Sequence, residues 1–246
     1  MDNHNLLEEI CGRGTLNIAV SFSPPPEEGH TPEFYLDQKT GEPSGVVCEL
    51  GKIMANDLSV RANWVNVPWP EQMDVLLDAR VDLLVSYTIT PERARHIEFV
   101  GPVLPSEIVL AHRSEIMVRS VEELNQSDKR IAVWHGSSVS EVAAAQLPNA
   151  VIVEYSDPTN AVEEGLVDAC VIDGVTKIFM DNHPNLRLFR DDQQQMVILA
   201  QELGYCAIRP GNPRWYNWLS NWLAYHNLKG TLEYWCGTWW KSWMAD

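Results

Sequence analysis

Positive charge is scarce in this chain: 18 Lys and Arg stand against 34 Asp and Glu, a formal net charge of −16 over 246 residues. Such a surface repels phosphate backbones and anionic headgroups, which argues against a nucleic-acid partner or a polybasic membrane role. No run reaches the roughly 20 apolar residues that a membrane helix requires. Cysteine is sparse and odd in number, at positions 11, 48, 170, 206 and 236. No pair has zinc or thioredoxin spacing, and the seven histidines form no ligand cluster, so a metal or other cofactor is not expected. A signal peptide's basic start and apolar stretch are also missing, so the chain reads either as cytoplasmic or as a mature form whose signal has been removed. What remains is 45% hydrophobic and 21% charged, enough for one large or two small folded domains.

Apolar runs and turn formers alternate along the chain. Leu16–Val20 is β-rich, and Tyr35–Gly45 reads as a hairpin because Asp37, Lys39, Gly41 and Pro43 favour turns. Val47–Leu58 has helical spacing. Ala62–Val67 reads as strand, Glu71–Ala79 as helix and Val81–Ser86 as buried strand. Ile108–Ala111, Arg130–Trp134, Ala150–Tyr155 and Ala169–Ile172 are further strands, with helices opening at Val121 and running from Ser140 to Gln146. Repeated βα units predict an α/β fold with mainly parallel sheets and covering helices. Seven of the ten tryptophans lie between Trp215 and Trp243. Trp215, Trp218, Trp222 and Tyr225 suggest one helical face, which either docks on the body or offers an aromatic platform; the adjoining Leu219 and Leu223 favour docking.

Three strand ends carry candidate chemistry. After Val81–Val85 come Ser86, Thr88 and, beyond Pro91, Arg93. Ligands of open α/β sheets gather outside strand carboxyl ends, and an arginine there offers a carboxylate two parallel hydrogen bonds; the alternative is a surface arginine. Ile131–Val133 runs through Trp134 and His135 into Gly136-Ser137-Ser138, which suits an anionic group or an ordinary helix cap. Val167–Ile172 delivers Asp173, which can hold an ammonium group or cap a helix, while Asp168 opens the strand and is expected in solvent.

Taken in order, these runs resemble the type II solute-binding proteins of the polar amino-acid family, the extracytoplasmic receptors of ABC importers. The resemblance spans nearly the whole chain. It rests on Arg13–Leu16, on Asp82–Phe99 with its Thr88-Ile89-Thr90-Pro91-Glu92-Arg93 core, on Gly204–Pro213, and on Trp218–Trp235 with Gly230-Thr231. It implies a two-lobed α/β fold, with residues 1–110 and 204–246 in the first lobe and 111–203 in the second. The crossings are expected near Val109–His112 and Ala200–Tyr205, with the ligand enclosed between lobes by hinge closure.

By the same resemblance Arg93 pairs with a ligand α-carboxylate, assisted by Thr88 with Ser86 nearby, and Ser138 reaches that carboxylate from the second lobe. Asp173 receives the α-ammonium and Trp69 stacks on the ligand side chain, unless it is an ordinary core tryptophan. Ser86-Tyr87-Thr88 is one residue shorter than the family pattern, which shifts a backbone carbonyl and points Tyr87 toward the cleft. The resemblance therefore implies a monomeric, non-catalytic, periplasmic or otherwise extracytoplasmic receptor for an amino-acid-like zwitterion, working with an ABC permease. Two alternatives stay open: a cyclohexadienyl dehydratase-like enzyme using Asp173 as acid, and the sensing module of a signalling receptor.

Overall fold

The computed structural model describes residues 5–22, 33–173 and 183–234. They fall into two compact units, one containing residues 33–105 with both flanking terminal segments, the other residues 106–202. The chain passes between units at Pro105–Ser106 and Glu202–Leu203. The first passage lies a few residues ahead of the crossing expected near Val109.

In the first unit, Leu6 and Ile10 of α1 (Leu6–Arg13) are buried one helical turn apart, and Gly14 ends the helix at φ 71°. Strand β1 (Thr15–Val20) follows. The hairpin expected from the turn residues is present as β2 (Tyr35–Leu36) and β3 (Pro43–Ser44), with the Asp37 carboxylate accepting from the Lys39 and Thr40 amides. Helix α2 (Val46–Asp57) buries Val47, Leu50 and Met54. It packs so closely that a Cβ at Gly51 would meet Ile18 and Trp64 at 2.7 Å. Strand β4 (Arg61–Asn66) pairs in parallel with β1, and α3 (Gln72–Leu77) covers the core beside it. Strand β5 runs Leu84–Thr88, beginning later than the apolar run because Leu83 joins β1 only through a bridge to Ile18.

Strand β6 (Glu98–Arg113) is far longer than the expected Ile108–Ala111. Pro102 and Pro105 disguise its first half, since proline lacks a ladder donor and reads as a strand breaker. In the second unit, β7 (Arg130–Trp134) lies between β8 (Val151–Tyr155) and β9 (Ala169–Ile172), both parallel to it. Alternate residues face opposite cores. Ile131, Val133, Ala169 and Val171 pack with Val139 and Ala143 of α4 (Val139–Gln146), whereas Ala132, Cys170 and Ile172 pack with Ala161 and Val162 of α5 (Pro158–Glu163). The helix expected at Val121 is a single 3₁₀ turn, Val121–Glu123.

β6 also pairs with β9 and β10 (Leu186–Leu188), and β11 (Ile198–Ile208) pairs with β5, all antiparallel. The mainly parallel arrangement expected is therefore a mixed one. The reason is that β6 and β11 serve both as sheet members and as connections between units. Asp168 is partly exposed, as its place at the strand start suggests, and it also accepts from the Arg130 amide at 2.8 Å and meets the Lys129 ammonium at 3.3 Å.

Helix α6 (Pro213–Leu228) buries Trp215, Leu219, Trp222 and Leu223, so docking holds for this face. The rings of Trp215, Trp218 and Trp222 stack in succession, and His226 lies tilted by 45° against Trp222. Tyr225 departs from the expected face and is exposed, because ten residues at 100° each leave it about 80° off the Trp215 line. Trp222 and His226 donate to the same oxygen of Asp57 at 2.8 Å, fixing α6 to α2, and α7 (Thr231–Tyr234) follows. The remaining tryptophans, Trp235, Trp239, Trp240 and Trp243, lie outside the described residues, as does Cys236.

Asp82, within the Asp82–Phe99 run, has a structural task. It is buried, pairs with Arg13 and accepts from the Asn17 amide, while Trp215 donates to its carbonyl. Burial raises its pKa against the opposing pull of that amide and Arg13. Cys48, Cys170 and Cys206 are buried free thiols whose burial raises their pKa values, to about 12 for Cys48 and Cys206.

Candidate functional site

In the first unit, the candidate residues converge around a distortion of β5. Tyr205 of β11 pairs with Tyr87 and Ala207 with Leu84, so β5 carries one extra residue within this stretch. Ser86 adopts φ 61°, the left-handed region that a serine rarely occupies. The resulting bulge turns the following residues out of strand alternation.

Arg93 lies just beyond, opening a 3₁₀ turn, with its amide donating to the Thr90 hydroxyl. Its side chain is 9% exposed, so it is not a surface arginine. Nη1 donates to the Thr88 carbonyl at 2.9 Å, and Cζ sits 4.3 Å above the Tyr87 ring centroid. Tyr87, expected to point toward the cleft, is instead buried at 4% exposure, its ring against Trp69 at 5.3 Å. The bulge at Ser86 is the physical reason. Trp69 is half-buried, with one side on this core and the remainder accessible.

Ser86 donates through Oγ to Glu33 Oε1 at 3.3 Å. No motif singled out Glu33; it reaches Ser86 across 53 positions of sequence and only folding brings it there. Gly204 packs against the bulge: a Cβ there would lie 2.5 Å from Ser86 Oγ and 2.8 Å from Ser86 Cα. The Cα cannot rotate away. Gly204→Ala is therefore expected to cost about 1–3 kcal/mol by overpacking, read as a lower urea midpoint, and to weaken ligand binding through the displaced bulge.

In the second unit, Gly136 at φ 70° turns the chain from β7 toward α4. Ser138 precedes α4 but makes no side-chain cap; its Oγ donates to Glu202 Oε2 at 2.8 Å. A hydroxyl has one proton, so in this state Ser138 presents only acceptor lone pairs. Asp173 ends the buried β9 run, and its pKa is pushed up to about 6, first by burial and then by the Glu202 charge. Glu202, like Glu33, was invisible in the sequence, its contact with Ser138 spanning 64 positions.

Each unit thus holds its own set of polar groups. The first holds the Arg93 guanidinium, suited to a carboxylate, together with the Thr88 hydroxyl and with Ser86, whose proton is engaged by Glu33. The second gathers Ser138, Asp173 and Glu202, an acceptor set suited to an ammonium group. No group of three or more metal-ligating side chains occurs among the described residues, and none of their helices is long and apolar enough to cross a membrane.

The sequence pattern of the bacterial extracellular solute-binding proteins, family 3, matches residues 27–242. The chain belongs to that family. Among curated relatives, the L-arginine-binding protein of Pseudomonas aeruginosa is 26% identical over 156 residues, 60% of this chain and 59% of its own. The ABC transporter glutamine-binding protein GlnH of Bacillus subtilis is 26% identical over 157 residues, 61% of this chain and 57% of its own. The match therefore spans less than two thirds of the length of these curated relatives. Among solved structures, the ancestral amino acid-binding protein AncCDT-1, a precursor of cyclohexadienyl dehydratase, superposes with a TM-score of 0.80 at 26% identity, covering 96% of this chain and 100% of its own. The cysteine-binding protein of Campylobacter jejuni superposes equally well, at 0.80 and 20% identity, and shares the type II fold.

Proposed function

We propose that this chain is a non-catalytic receptor for a small amino-acid-like zwitterion and passes it to an ABC permease. The observation that carries the reading is the Arg93 guanidinium, buried and oriented by Tyr87 and the Thr88 carbonyl. A desolvated, oriented guanidinium recognises a carboxylate far better than a solvated one. In this reading Arg93 and Thr88 take the α-carboxylate, joined by Ser86 when its proton turns from Glu33, Asp173 takes the α-ammonium, and Trp69 packs on the side chain. Ser138 lends lone pairs to the ammonium while it is bonded to Glu202, and turns its proton to the carboxylate when a ligand competes for it. One ligand engaging both sets accounts for a buried guanidinium in one unit and the Asp173 and Glu202 carboxylates in the other.

The family places the protein outside the cell, and export by way of a cleaved signal is part of the same proposal. Relatives named for arginine, glutamine and cysteine support an amino-acid ligand as a class and differ over its side chain. A thermal-shift screen over the L-amino acids, their amides and the matching carboxylic acids tests the reading. A cognate amino acid at a hundredfold excess over its Kd adds about 2.7 kcal/mol of stability. Its amide and its des-amino analogue are expected to add far less, since each lacks one of the two charges. Equal shifts from all three would overturn the zwitterion reading.

A further inference from the structure

Tyr87 has a task that neither its sequence position nor the ligand-facing residues reveal. The β5 burial pattern has no inside–outside alternation: Leu84, Val85, Ser86 and Tyr87 are all buried. An undistorted strand would set Leu84 and Tyr87 on opposite faces. The extra residue opposite Tyr205–Ala207, with Ser86 at φ 61°, instead brings both into one apolar cluster with Val75 and Leu76. The phenol ring then lies under the Arg93 guanidinium at 4.3 Å, while the next residue, Thr88, takes Nη1 on its carbonyl at 2.9 Å.

Two consecutive residues of one bulge therefore define the guanidinium in two directions. The ring supplies a flat, electron-rich face over which the planar cation rests, and the carbonyl holds Nη1 through a hydrogen bond. Trp69, tilted 42° against Tyr87 at 5.3 Å, backs the ring from another side and limits its rotation. An arginine has several rotatable bonds, and holding it in one orientation before the ligand arrives removes an ordering cost from binding.

Resting on the carboxylate role given to Arg93 above, we propose that Tyr87 is a positioning residue, which sets the plane of the Arg93 guanidinium for a ligand carboxylate. The quality required is the aromatic face, not the hydroxyl. Phenylalanine preserves that face; leucine fills comparable apolar space without it.

The test needs no ligand for its first arm. The Arg93 Nε–H resonance is assigned by its loss in Arg93→Lys, and its hydrogen-exchange rate is measured by NMR. Exchange is expected to be similar in the native chain and Tyr87→Phe, and at least tenfold faster in Tyr87→Leu. In the second arm, L-arginine and L-glutamine are titrated calorimetrically, with the screen above supplying any other amino acid that shifts the melting temperature. Kd is expected to stay within threefold in Tyr87→Phe and to rise at least tenfold in Tyr87→Leu. Adding Tyr87→Leu to Arg93→Ala is expected to cost nothing further, because the group being positioned is gone.

Circular dichroism of the unliganded variants checks folding, and Tyr87→Met replaces Tyr87→Leu if the latter does not fold. If Arg93→Ala binds every probe as the native chain does, the carboxylate reading fails. If Arg93→Ala loses binding while Tyr87→Leu leaves either the exchange rate or Kd unchanged, the positioning role fails alone.

Discussion

Arg93→Ala is expected to abolish amino-acid-induced thermal stabilisation while leaving the unliganded fold in place. On the proposed reading the substitution removes the one cation among the first unit's candidate ligand groups and would leave a ligand carboxylate desolvated without its partner. Breaking a buried pair in this way costs on the order of 3–5 kcal/mol, roughly a hundredfold or more in Kd. The fold is expected to survive because the apolar cluster beneath the guanidinium, Tyr87 with Val75 and Leu76 of α3, keeps all its members. Calorimetric titration with the amino acid that stabilises the native chain, together with far-ultraviolet circular dichroism, checks both halves. A melting-temperature shift as large as the native one would remove Arg93 from the site.

The sequence announced those parts of the fold whose causes are local. β7 and β9 are short apolar runs closed by turn residues, and their alternate side chains meet α4 and α5, so composition alone marks them as buried on both faces. The Thr88–Arg93 run was likewise readable, because strand, turn and arginine follow within a few positions. The 16-residue β6 was not, since its prolines argue locally for a break that pairing partners distant in sequence override.

The same distinction governs the site. Ser138 and Asp173 stand at strand ends and were visible from position, whereas Glu33 and Glu202 enter through contacts made across 53 and 64 residues. The reversal of Tyr87 from cleft-facing to buried follows from the dihedral angle of one neighbour. Ser86 at φ 61° is a conformation that no propensity assigns to serine, and it decides which way the next ring points.

Asp173→Asn is expected to stabilise the unliganded chain at neutral pH and to destroy its ligand binding. The carboxyl ordinarily titrates near 3.8 and is pushed up to about 6, by burial first and by the Glu202 charge second. A group whose folded pKa is raised holds its proton more tightly in the folded chain than in the unfolded one. Its contribution to stability is complete below pH 4 and is lost as pH rises through about 6. At pH 7 the folded chain thus carries an ionised carboxylate beside a second one, a cost that asparagine removes. A gain of about 1–2 kcal/mol is the usual scale for relieving such a site, or a rise of about 2–8 °C in melting temperature for a chain of this size. Below pH 4 the two proteins are expected to melt together, which separates relief of charge from a mere packing improvement. A ligand ammonium reverses the balance, because it favours the ionised carboxylate that burial and Glu202 oppose. Binding near pH 5.5 should therefore release a proton from Asp173, visible as a calorimetric enthalpy that changes with the ionisation enthalpy of the buffer, and in Asp173→Asn both the affinity and that proton disappear. The acid that weakens the empty receptor is the one that a cationic group on the ligand satisfies. An asparagine variant that binds as tightly as the native chain would place the ammonium elsewhere.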